Sequence, residues 1–316
     1  MPTMRMIRQD AFGGPELLRL TTAERPVPIG TEILVRVHAA GVNPIDWKTR
    51  SGKGVLHTLP CTVGWDVSGV VEATGPGVTR FAPGDEVFGM PWFPRQAAAY
   101  AEFVAAPSRH FAAKPAELDH LQAAGLPLAG LTAWQALADT ACLRPGQRVL
   151  IQAAGGGVGH LAVQIAKALG AHVIAVASAG KRQFVQGLGA DEVIDYARGD
   201  PAGAVGDLDV VFDLVGPETA TRALRALKPG GCLVTVAGGP DPQAASQAAA
   251  DRGIRSAFLL VEPDLTGLEA LAALAAAGRL GVHVAATLPL AEAGAAHALG
   301  ECGHTEGKIV LRVADA

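Results

Sequence analysis

The sequence predicts an α/β protein in which a doubly wound parallel sheet follows a smaller β-rich domain. Many short apolar segments, separated by Gly and Pro at turn spacing, occupy residues 1–122, as in a small, partly open barrel. From about residue 123, strand-like and helix-like segments alternate, which indicates a parallel sheet with helices on both faces. A glycine-rich turn joins an apolar run at 148–152 to a helical pattern that starts at 158.

Each predicted element follows from a local pattern. Alternation of apolar and polar residues predicts strands in the first domain at 33–38, 67–73 and 86–88. Helical spacing covers 121–137 and is interrupted at Pro127. Short runs of branched apolar residues predict the buried strands of the parallel sheet, at 148–152, 172–177, 192–196, 208–215, 232–237 and 256–261. Helical spacing predicts the connecting helices 158–169, 181–188 and 218–227.

The C-terminal part returns to β-type patterns. After Pro263, an amphipathic helix is predicted at 265–280, followed by strands at 283–290 and 307–313 around a short helix at 291–299. We therefore predict a first domain at 1–122, a second at 123–262, and a segment at 263–316 that completes the first.

The glycine-rich turn has the sequence context of a dinucleotide site. Ala154, Gly156 and Gly159 fit the pattern A-x-G-x-x-G between a strand and a helix. Small residues there let the backbone amides, including those of Gly157 and Val158, approach a pyrophosphate at the positive end of the helix. The alternative is a merely structural turn in an α/β domain.

The end of the next predicted strand bears on the choice of dinucleotide. A carboxylate is expected about 20 residues beyond the glycine turn when the ribose carries a free 2′-hydroxyl. Ser178 stands near that position, and Lys181 and Arg182 follow it. A hydroxyl and two cations attract a 2′-phosphate, so the sequence predicts NADP(H). Alternatively, the two basic residues are solvated members of the next helix.

Composition excludes several classes of function. The 316 residues are 49% hydrophobic and 18% charged, which allows a large core. A net charge of −4 without a basic tract argues against nucleic acid as a partner. Four widely spaced cysteines fit a reducing cytosol, and neither a signal peptide nor a membrane-spanning run is recognisable. We therefore expect a cytoplasmic protein.

Seven motifs, in their order and spacing, carry a resemblance to a known family. They lie at 41–48, 64–71, 83–89, 153–159, 188–196, 227–231 and 307–311. With them the chain resembles the medium-chain dehydrogenase/reductase superfamily, and most of all its zinc-independent NADPH:quinone oxidoreductase and enone reductase branch. The resemblance implies a GroES-like catalytic domain, a Rossmann NADP-binding domain, a C-terminal segment that completes the catalytic domain, and an active site in the cleft between the domains. It also implies a homodimer or homotetramer, for which residues 256–261 are a candidate pairing strand.

The chain departs from the zinc-dependent members of that family. Asn43 and Trp65 stand where those members have cysteine and histidine ligands, and the third ligand position falls near Leu128. None of these side chains is a zinc ligand, so we predict no metal. Asp46 and Asp66 are isolated carboxylates, which are more often solvated or capping residues than ligands. Without a Lewis acid, the expected hydride acceptors are already electrophilic, namely quinones and α,β-unsaturated carbonyls.

Five residues are candidates for the catalytic site, and each also has a structural interpretation. Asn43 and Asp46 belong to the motif that faces the nicotinamide in the family, but both residue types also favour turns. Lys48 is a candidate to polarise the acceptor oxygen, or is simply exposed. Trp65, together with Trp92 and Phe93, is a candidate wall for a flat acceptor, although aromatic residues are usually core. Tyr100 is a candidate donor of a proton or hydrogen bond, with surface packing as the alternative.

Further cofactor contacts are predicted at strand ends and from family motifs. They are Thr132, Tyr196, Leu214, Val215, Ala237, Gly238, Phe258, Leu259, Val261 and Lys308. The function predicted from these residues is NADPH-dependent reduction of a small quinone or enone. The alternative is an NADPH-binding structural or sensory protein with little turnover.

Overall fold

The computed structural model describes residues 2–237 and 247–314. The chain divides into two compact units. Unit 1 contains Met1–Leu131 and Glu262–Ala316, and unit 2 contains Thr132–Val261.

The strands of unit 1 are β1 (Thr3–Arg8), β2 (Arg19–Glu24), β3 (Glu32–Val42), β4 (Asp66–Thr74), β5 (Glu86–Gly89), β6 (Phe103–Pro107) and β7 (Phe111–Ala113). Unit 2 contributes β8 (Arg148–Ile151), β9 (His172–Ala177), β10 (Glu192–Asp195), β11 (Leu208–Asp213), β12 (Leu227–Thr235) and β13 (Arg255–Phe258). The chain then returns to unit 1 with β14 (Val284–Pro289) and β15 (Lys308–Arg312).

The described α-helices are α1 (Pro44–Arg50), α2 (His120–Ala124), α3 (Pro127–Trp134), α4 (Gly159–Ala168), α5 (Arg182–Gly187), α6 (Pro217–Ala223), α7 (Leu265–Ala276) and α8 (Ala293–Glu301). A stretch of π-helix, Gln135–Thr140, continues α3. No helix in the described ranges combines the length and apolar character that crossing a membrane requires.

Unit 1 is built on a seven-stranded sheet that the C-terminal segment completes. Its order is β14-β15-β3-β4-β5-β7, with β6 also paired to β3. β15 pairs antiparallel with β3, and Ile309 lies opposite Val42. This register places Lys308, the first residue of β15, beside the end of β3 and the start of α1. Strands far apart in sequence therefore meet where the candidate catalytic residues begin.

Unit 2 is built on a six-stranded sheet with the order β10-β9-β8-β11-β12-β13, and all of its strand pairs are parallel. The carboxyl ends of the strands therefore lie at one edge. The strand order reverses between β8 and β11, and such a switch point is where ligands bind in open α/β sheets. Leu150, Val211 and Leu233 are buried in its core, which accounts for the apolar runs in the sequence.

Several predicted boundaries were wrong, each for a local reason. The strand predicted at 256–261 ends at Phe258, because Thr235 opposite it is the last residue of β12. The strand predicted at 208–215 ends at Asp213, whose carboxylate accepts the backbone N–H groups of the two following turn residues, Val215 and Gly216. Leu214, Val215, Leu259 and Val261 therefore lie after the strand ends and not within the strands.

Other elements were divided or missed. The helix predicted at 121–137 is divided into α2 and α3, and a side-chain carboxylate accepts the N–H of Leu128, the second residue of α3. The strand predicted at 232–237 begins earlier, at Leu227, and ends at Thr235. Helix α7 ends at Ala276, ahead of Gly278 with its positive φ of 66°. The antiparallel pair β1–β2 and helix α1 were not predicted.

Candidate functional site

The glycine-rich turn of unit 2 forms the tight connection that the motif requires. Ala153 has a positive φ of 46°, and Gly156 donates its N–H to the Ala153 carbonyl at 2.9 Å. Gly159 begins α4 so close to this turn that an added Cβ would lie 2.2 Å from the Ala153 oxygen. Gly157 and Val158 form the half-buried crest of the turn, and Ala154 is buried beneath it. A side chain at 159 would push the helix away from the strand. Glycine at this position keeps the turn tight, so that its backbone amides can approach a phosphate.

A cavity of about 560 Å³ opens in unit 2 beside this turn, at the carboxyl ends of its strands. Ala153, Tyr196 and Val215 line it, and the rest of its wall comes mainly from the segment after β10 and from α6. Tyr196 and Val215 are both more than half exposed, so an aromatic ring and an aliphatic side chain are available to a flat heterocycle. The strand-end residues predicted at 196 and 215 are thus brought together with the glycine turn.

The basic residues after β9 lie next to the turn. Ser178 precedes a short 3-10 turn, Ala179–Lys181. Arg182 is exposed and begins α5. The aliphatic part of Lys181 packs on the glycine turn, since a Cβ added to Gly155 would lie 2.8 Å from its Cδ. β9 ends at Ala177, without a carboxylate at its carboxyl end.

The other predicted cofactor residues have varied surroundings. Thr132 is buried, Leu214 and Ala237 are half-buried, and Phe258 is exposed. Leu259 donates its N–H to the Thr235 carbonyl, which carries the chain past the end of β12. Val261 is buried, and Gly238 lies outside the described residues.

Asp213 organises this edge of the sheet and was missed by the sequence analysis. It is fully buried at the end of β11. Its Oδ1 accepts the Thr219 hydroxyl at 2.8 Å as well as two turn N–H groups, and its Oδ2 accepts the Thr235 hydroxyl at 2.8 Å. A carboxylate that directly follows a buried strand, with threonines nearby, is the signal that could have pointed to it.

In unit 1, helix α1 begins at the end of β3 and positions the first pair of catalytic candidates. Asn43 is its N-cap residue, and the Asn43 N–H donates to Asp46 Oδ2 at 2.6 Å. The Asn43 side chain makes no capping bond, because its amide is used elsewhere. These residues do not form an isolated turn, because the segment continues as helix α1, where Asn43 and Asp46 occupy the two positions of a capping box.

Asp46 also belongs to a buried hydrogen-bonded chain. The Tyr100 hydroxyl donates to Asp46 Oδ2 at 3.1 Å and lies 3.1 Å from His297 Nε2. All three side chains are fully buried, so surface packing of Tyr100 and solvation of Asp46 were wrong alternatives. Burial raises the pKa of Asp46 to about 7, and it lowers the pKa of His297 to about 3. Among the described residues, Asp46 Oδ1 and His297 Nδ1 have no hydrogen-bond partner.

A second buried cluster shares Asn43. Lys308 Nζ donates to the Asn43 Oδ1 and, at 3.1 Å, to the carbonyl of Val42, and it lies 3.7 Å from Asp66 Oδ2. Asn43 Nδ2 donates to the same Asp66 oxygen at 2.8 Å. Burial lowers the pKa of Lys308 and raises that of Asp66, while the attraction between the two groups opposes both shifts. Lys308, predicted as a cofactor contact, is thus 2% exposed and engaged with Asn43 and Asp66.

The three positions that hold zinc in relatives do not offer ligands. Asn43 binds Asp66 and Lys308, Trp65 is fully buried with its Nε1 donating to the Arg95 carbonyl, and Leu128 contributes a backbone N–H to Asp66 Oδ1. In residues 2–237 and 247–314, no group of three or more His, Cys, Asp or Glu side chains is placed to hold a metal ion. The donor set does not fit zinc, because an indole, an alkyl group and an amide that accepts from an ammonium cannot replace thiolate and imidazole.

The remaining candidates are less constrained. Lys48 lies on α1 and is exposed. Trp65 contacts Phe93 edge to face, with ring centroids 5.5 Å apart, and both rings are buried. Trp92 is half-buried, and its indole donates to the Ala105 carbonyl at 2.9 Å. These aromatic residues are therefore mainly packing residues of unit 1.

Comparison with known proteins identifies the class. The alcohol dehydrogenase GroES-like domain family matches residues 30–116, and the zinc-binding dehydrogenase family matches residues 188–311. A quinone oxidoreductase structure from Coxiella burnetii is 38% identical, superimposes with a TM-score of 0.93, and the match covers 99% of this chain and 100% of that one. A structure of an NAD-dependent alcohol dehydrogenase is 34% identical with a TM-score of 0.88, over 98% and 100% of the two chains. The NAD(P)H oxidoreductase RTN4IP1, mitochondrial, of Mus musculus is 36% identical over 96% of this chain and 88% of its own length.

The GroES-like and Rossmann-type folds together define an oxidoreductase that uses a nicotinamide cofactor. The chain belongs to the medium-chain dehydrogenase/reductase superfamily, in its quinone oxidoreductase branch. The predicted family and fold class are therefore confirmed.

Proposed function

We propose that the protein is an NADPH-dependent oxidoreductase that reduces quinones or α,β-unsaturated carbonyls by direct hydride transfer without zinc. One observation carries the proposal: Asn43, at one of the family's metal-ligand positions, accepts a hydrogen bond from the buried Lys308 ammonium and donates one to the buried carboxylate of Asp66. Alcohol oxidation requires stabilisation of an alkoxide, which a Lewis acid provides. Here the residues offer hydrogen bonds instead, which suffice for an acceptor that is already electrophilic.

The choice of NADPH is supported by the residues after β9. Ser178, Lys181 and Arg182 offer a hydroxyl and two cations where a carboxylate would select a free 2′-hydroxyl. Tyr196 and Val215 line the adjoining cavity with apolar surface for the adenine. When bound, the reduced nicotinamide supplies a hydride, and the protein's contribution is to orient the reactants and exclude water.

Within unit 1, we assign the proton and hydrogen-bond roles to the buried residues. Tyr100 holds Asp46 with a hydrogen bond, and a carboxyl whose pKa is about 7 holds or releases a proton near neutral pH. Asn43 supplies a fixed amide donor. Lys48 stays a candidate for a weaker, exposed contact with the acceptor.

An acceptor panel tests the proposal. Purified protein is assayed with NADPH and with NADH against a quinone, an enone, an enal and a simple ketone, and its zinc content is measured in parallel. We expect turnover with the quinone or the conjugated carbonyls, little with the ketone, preference for NADPH, and no stoichiometric zinc. Tight NADPH binding without turnover of any acceptor would instead favour a structural or sensory role.

We also propose a homodimer or homotetramer that pairs β13 across subunits. β13 is the last strand of the described sheet, and Phe258 and Leu260 beside it are 53% and 50% exposed. An apolar sheet edge of this kind favours pairing. A monomer in a solution mass measurement would refute this arrangement. A cytoplasmic location stays a prediction, which fractionation of cells tests.

A further inference from the structure

The cluster of Lys308, Asn43 and Asp66 fixes the orientation of one amide. An ammonium donates hydrogen bonds and cannot accept them, whereas an ionised carboxylate accepts and cannot donate. Lys308 Nζ faces Asn43 Oδ1, and Asp66 Oδ2 faces Asn43 Nδ2. A flipped amide would set nitrogen against the ammonium and oxygen against the carboxylate. The two charges therefore allow only one orientation.

This orientation leaves one hydrogen-bond donor unused. The Asn43 Nδ2 carries two hydrogens, and one of them donates to Asp66. The other has no acceptor among the described residues, although the side chain is 2% exposed. The hydrogen bonds of the Asn43 amide run to Lys308 and Asp66, so these two residues set its orientation.

The two charged groups that hold the Asn43 amide form a buried ion pair. Asp66 is completely buried and has the Lys308 ammonium as its nearest cation, at 3.7 Å. Burial of a charged pair is a poor source of stability compared with apolar packing of the same volume. A buried pair that is bonded to a shared amide is thus better explained by the orientation it imposes than by stability.

We propose that Lys308 is the resident cation of this site: its ammonium fills the place of the family's metal and, with Asp66, holds Asn43 so that the free Nδ2 hydrogen donates to the oxygen of the hydride acceptor. Lys308 and Asp66 are positioning residues, and Asn43 is the catalytic residue that touches the substrate. The inference rests on the proposed reduction of quinones or enones. It adds the donor that stabilises the negative charge formed on the acceptor oxygen when hydride arrives at carbon.

The first test uses the fact that Asn43 is the only asparagine in the sequence. Protein labelled with [15N-amide]asparagine gives one side-chain NH₂ signal. In the wild type we expect two well-separated proton shifts that exchange slowly with water. Addition of NADP⁺ with the preferred acceptor, a combination that cannot turn over, shifts one of the two protons. An NH₂ signal that does not respond to this dead-end complex overturns the proposal.

The second test separates positioning from stability. Lys308→Met alone leaves a buried, unpaired Asp66 and is expected to unfold readily. The double variant Lys308→Met with Asp66→Asn replaces the pair with neutral groups, so it folds with a melting temperature close to that of the wild type. We expect its kcat to fall about 10- to 100-fold, as for residues that orient catalytic ligands, while its Kd for NADPH stays within about twofold of the wild-type value.

A matched control is provided by another buried lysine. Lys114 is paired with Glu86 at 3.1 Å, and its side chain is 6% exposed. Lys114→Met with Glu86→Gln should leave kcat unchanged. A Lys308/Asp66 double variant with wild-type kcat would show that the pair is only structural and would overturn the proposal. Absence of turnover in the wild type would instead refute the proposed function, and the slow exchange of the two Asn43 NH₂ protons in the wild-type protein still tests the fixed orientation.

Discussion

Replacement of Asp46 by asparagine should change how stability depends on pH. The Asp46 carboxyl is fully buried, and its pKa rises from 3.8 to about 7, mainly because burial penalises the charged form. The folded protein therefore binds a proton between about pH 4 and pH 7 that the unfolded chain has released. Because the pKa is higher in the folded state than in the unfolded state, the free energy of unfolding falls as pH rises through that interval.

The magnitude follows from the two pKa values. The folded state holds nearly one proton more than the unfolded state at pH 5 to 6 and about half a proton more at pH 7, so at about 1.4 kcal/mol per proton and pH unit the loss between pH 5 and pH 7 is roughly 2 kcal/mol. The asparagine side chain of the Asp46→Asn variant cannot ionise, so the variant does not lose this amount. Other groups contribute in both directions, since the raised pKa of Asp66 acts like that of Asp46 and the lowered pKa values of the buried histidines act oppositely, and these contributions cancel to a first approximation in the difference between wild type and variant.

Urea unfolding at pH 5, 6, 7 and 8 measures the effect. We expect Asp46→Asn to gain about 2–3 kcal/mol relative to wild type between pH 5 and pH 8. Tyr100→Phe is the matched control, because it alters the same cluster and keeps the carboxyl. The Tyr100 hydrogen bond lowers the pKa of Asp46, so Tyr100→Phe should raise that pKa and extend the loss of stability to higher pH than in the wild type. Parallel curves for wild type and Asp46→Asn would refute the assigned pKa of Asp46.

Four further results are expected. Gly159→Ala would place a Cβ 2.2 Å from a backbone carbonyl oxygen of the glycine turn. The affinity for NADPH, measured by fluorescence titration, should therefore fall about tenfold or more, and an unchanged affinity would contradict the tight turn. Ser178→Asp with Arg182→Ala should shift the ratio of kcat/KM for NADPH and NADH by about 10- to 100-fold toward NADH, because the loss of one charged hydrogen bond has about this effect. A wild-type preference for NADH would show that the 2′-phosphate assignment is wrong. Burial lowers the pKa of His38 to about 4, so the wild type loses stability as pH falls from about 6.5 toward 4, and His38→Gln should flatten that loss in acid unfolding curves. Phe258→Asp should dissociate the proposed oligomer in light scattering, and an unchanged mass would exclude pairing through β13.

The parallel sheet of unit 2 was largely predictable, because strands buried on both faces show as apolar runs in the sequence. Residues 148–152 and 172–177 were predicted nearly as they stand in β8 and β9. The ends of strands were harder to predict. They depend on where a neighbouring strand ends, as at Phe258, or on a side chain that captures backbone N–H groups, as Asp213 does.

The candidate site of unit 1 was predictable in its members but not in its arrangement. Asn43, Asp46 and Tyr100 were chosen from a motif and from residue chemistry, yet helix α1 was missed because Asn43 and Pro44 are also typical of turns. The contact between Lys308 and Asn43 joins residues 265 positions apart in the chain. Local patterns carry no information on such a pairing, which arises only from the register of β15 on β3.

The charge of Asp66 links two observations. The three family positions lack zinc ligands, and a lysine is buried beside this carboxylate. Asp66 lies without exposure at the end of a sheet strand, where an ionised carboxylate needs a cation. A metal ion would meet that need in exchangeable form and act as a Lewis acid, whereas a lysine is part of the chain and donates only hydrogen bonds. With Asn43, Trp65 and Leu128 at the three family positions, the proposed function keeps Asp66 paired with a cation, Lys308, and needs no Lewis acid. The proposed acceptors, quinones and enones, meet that condition because their carbon already attracts hydride.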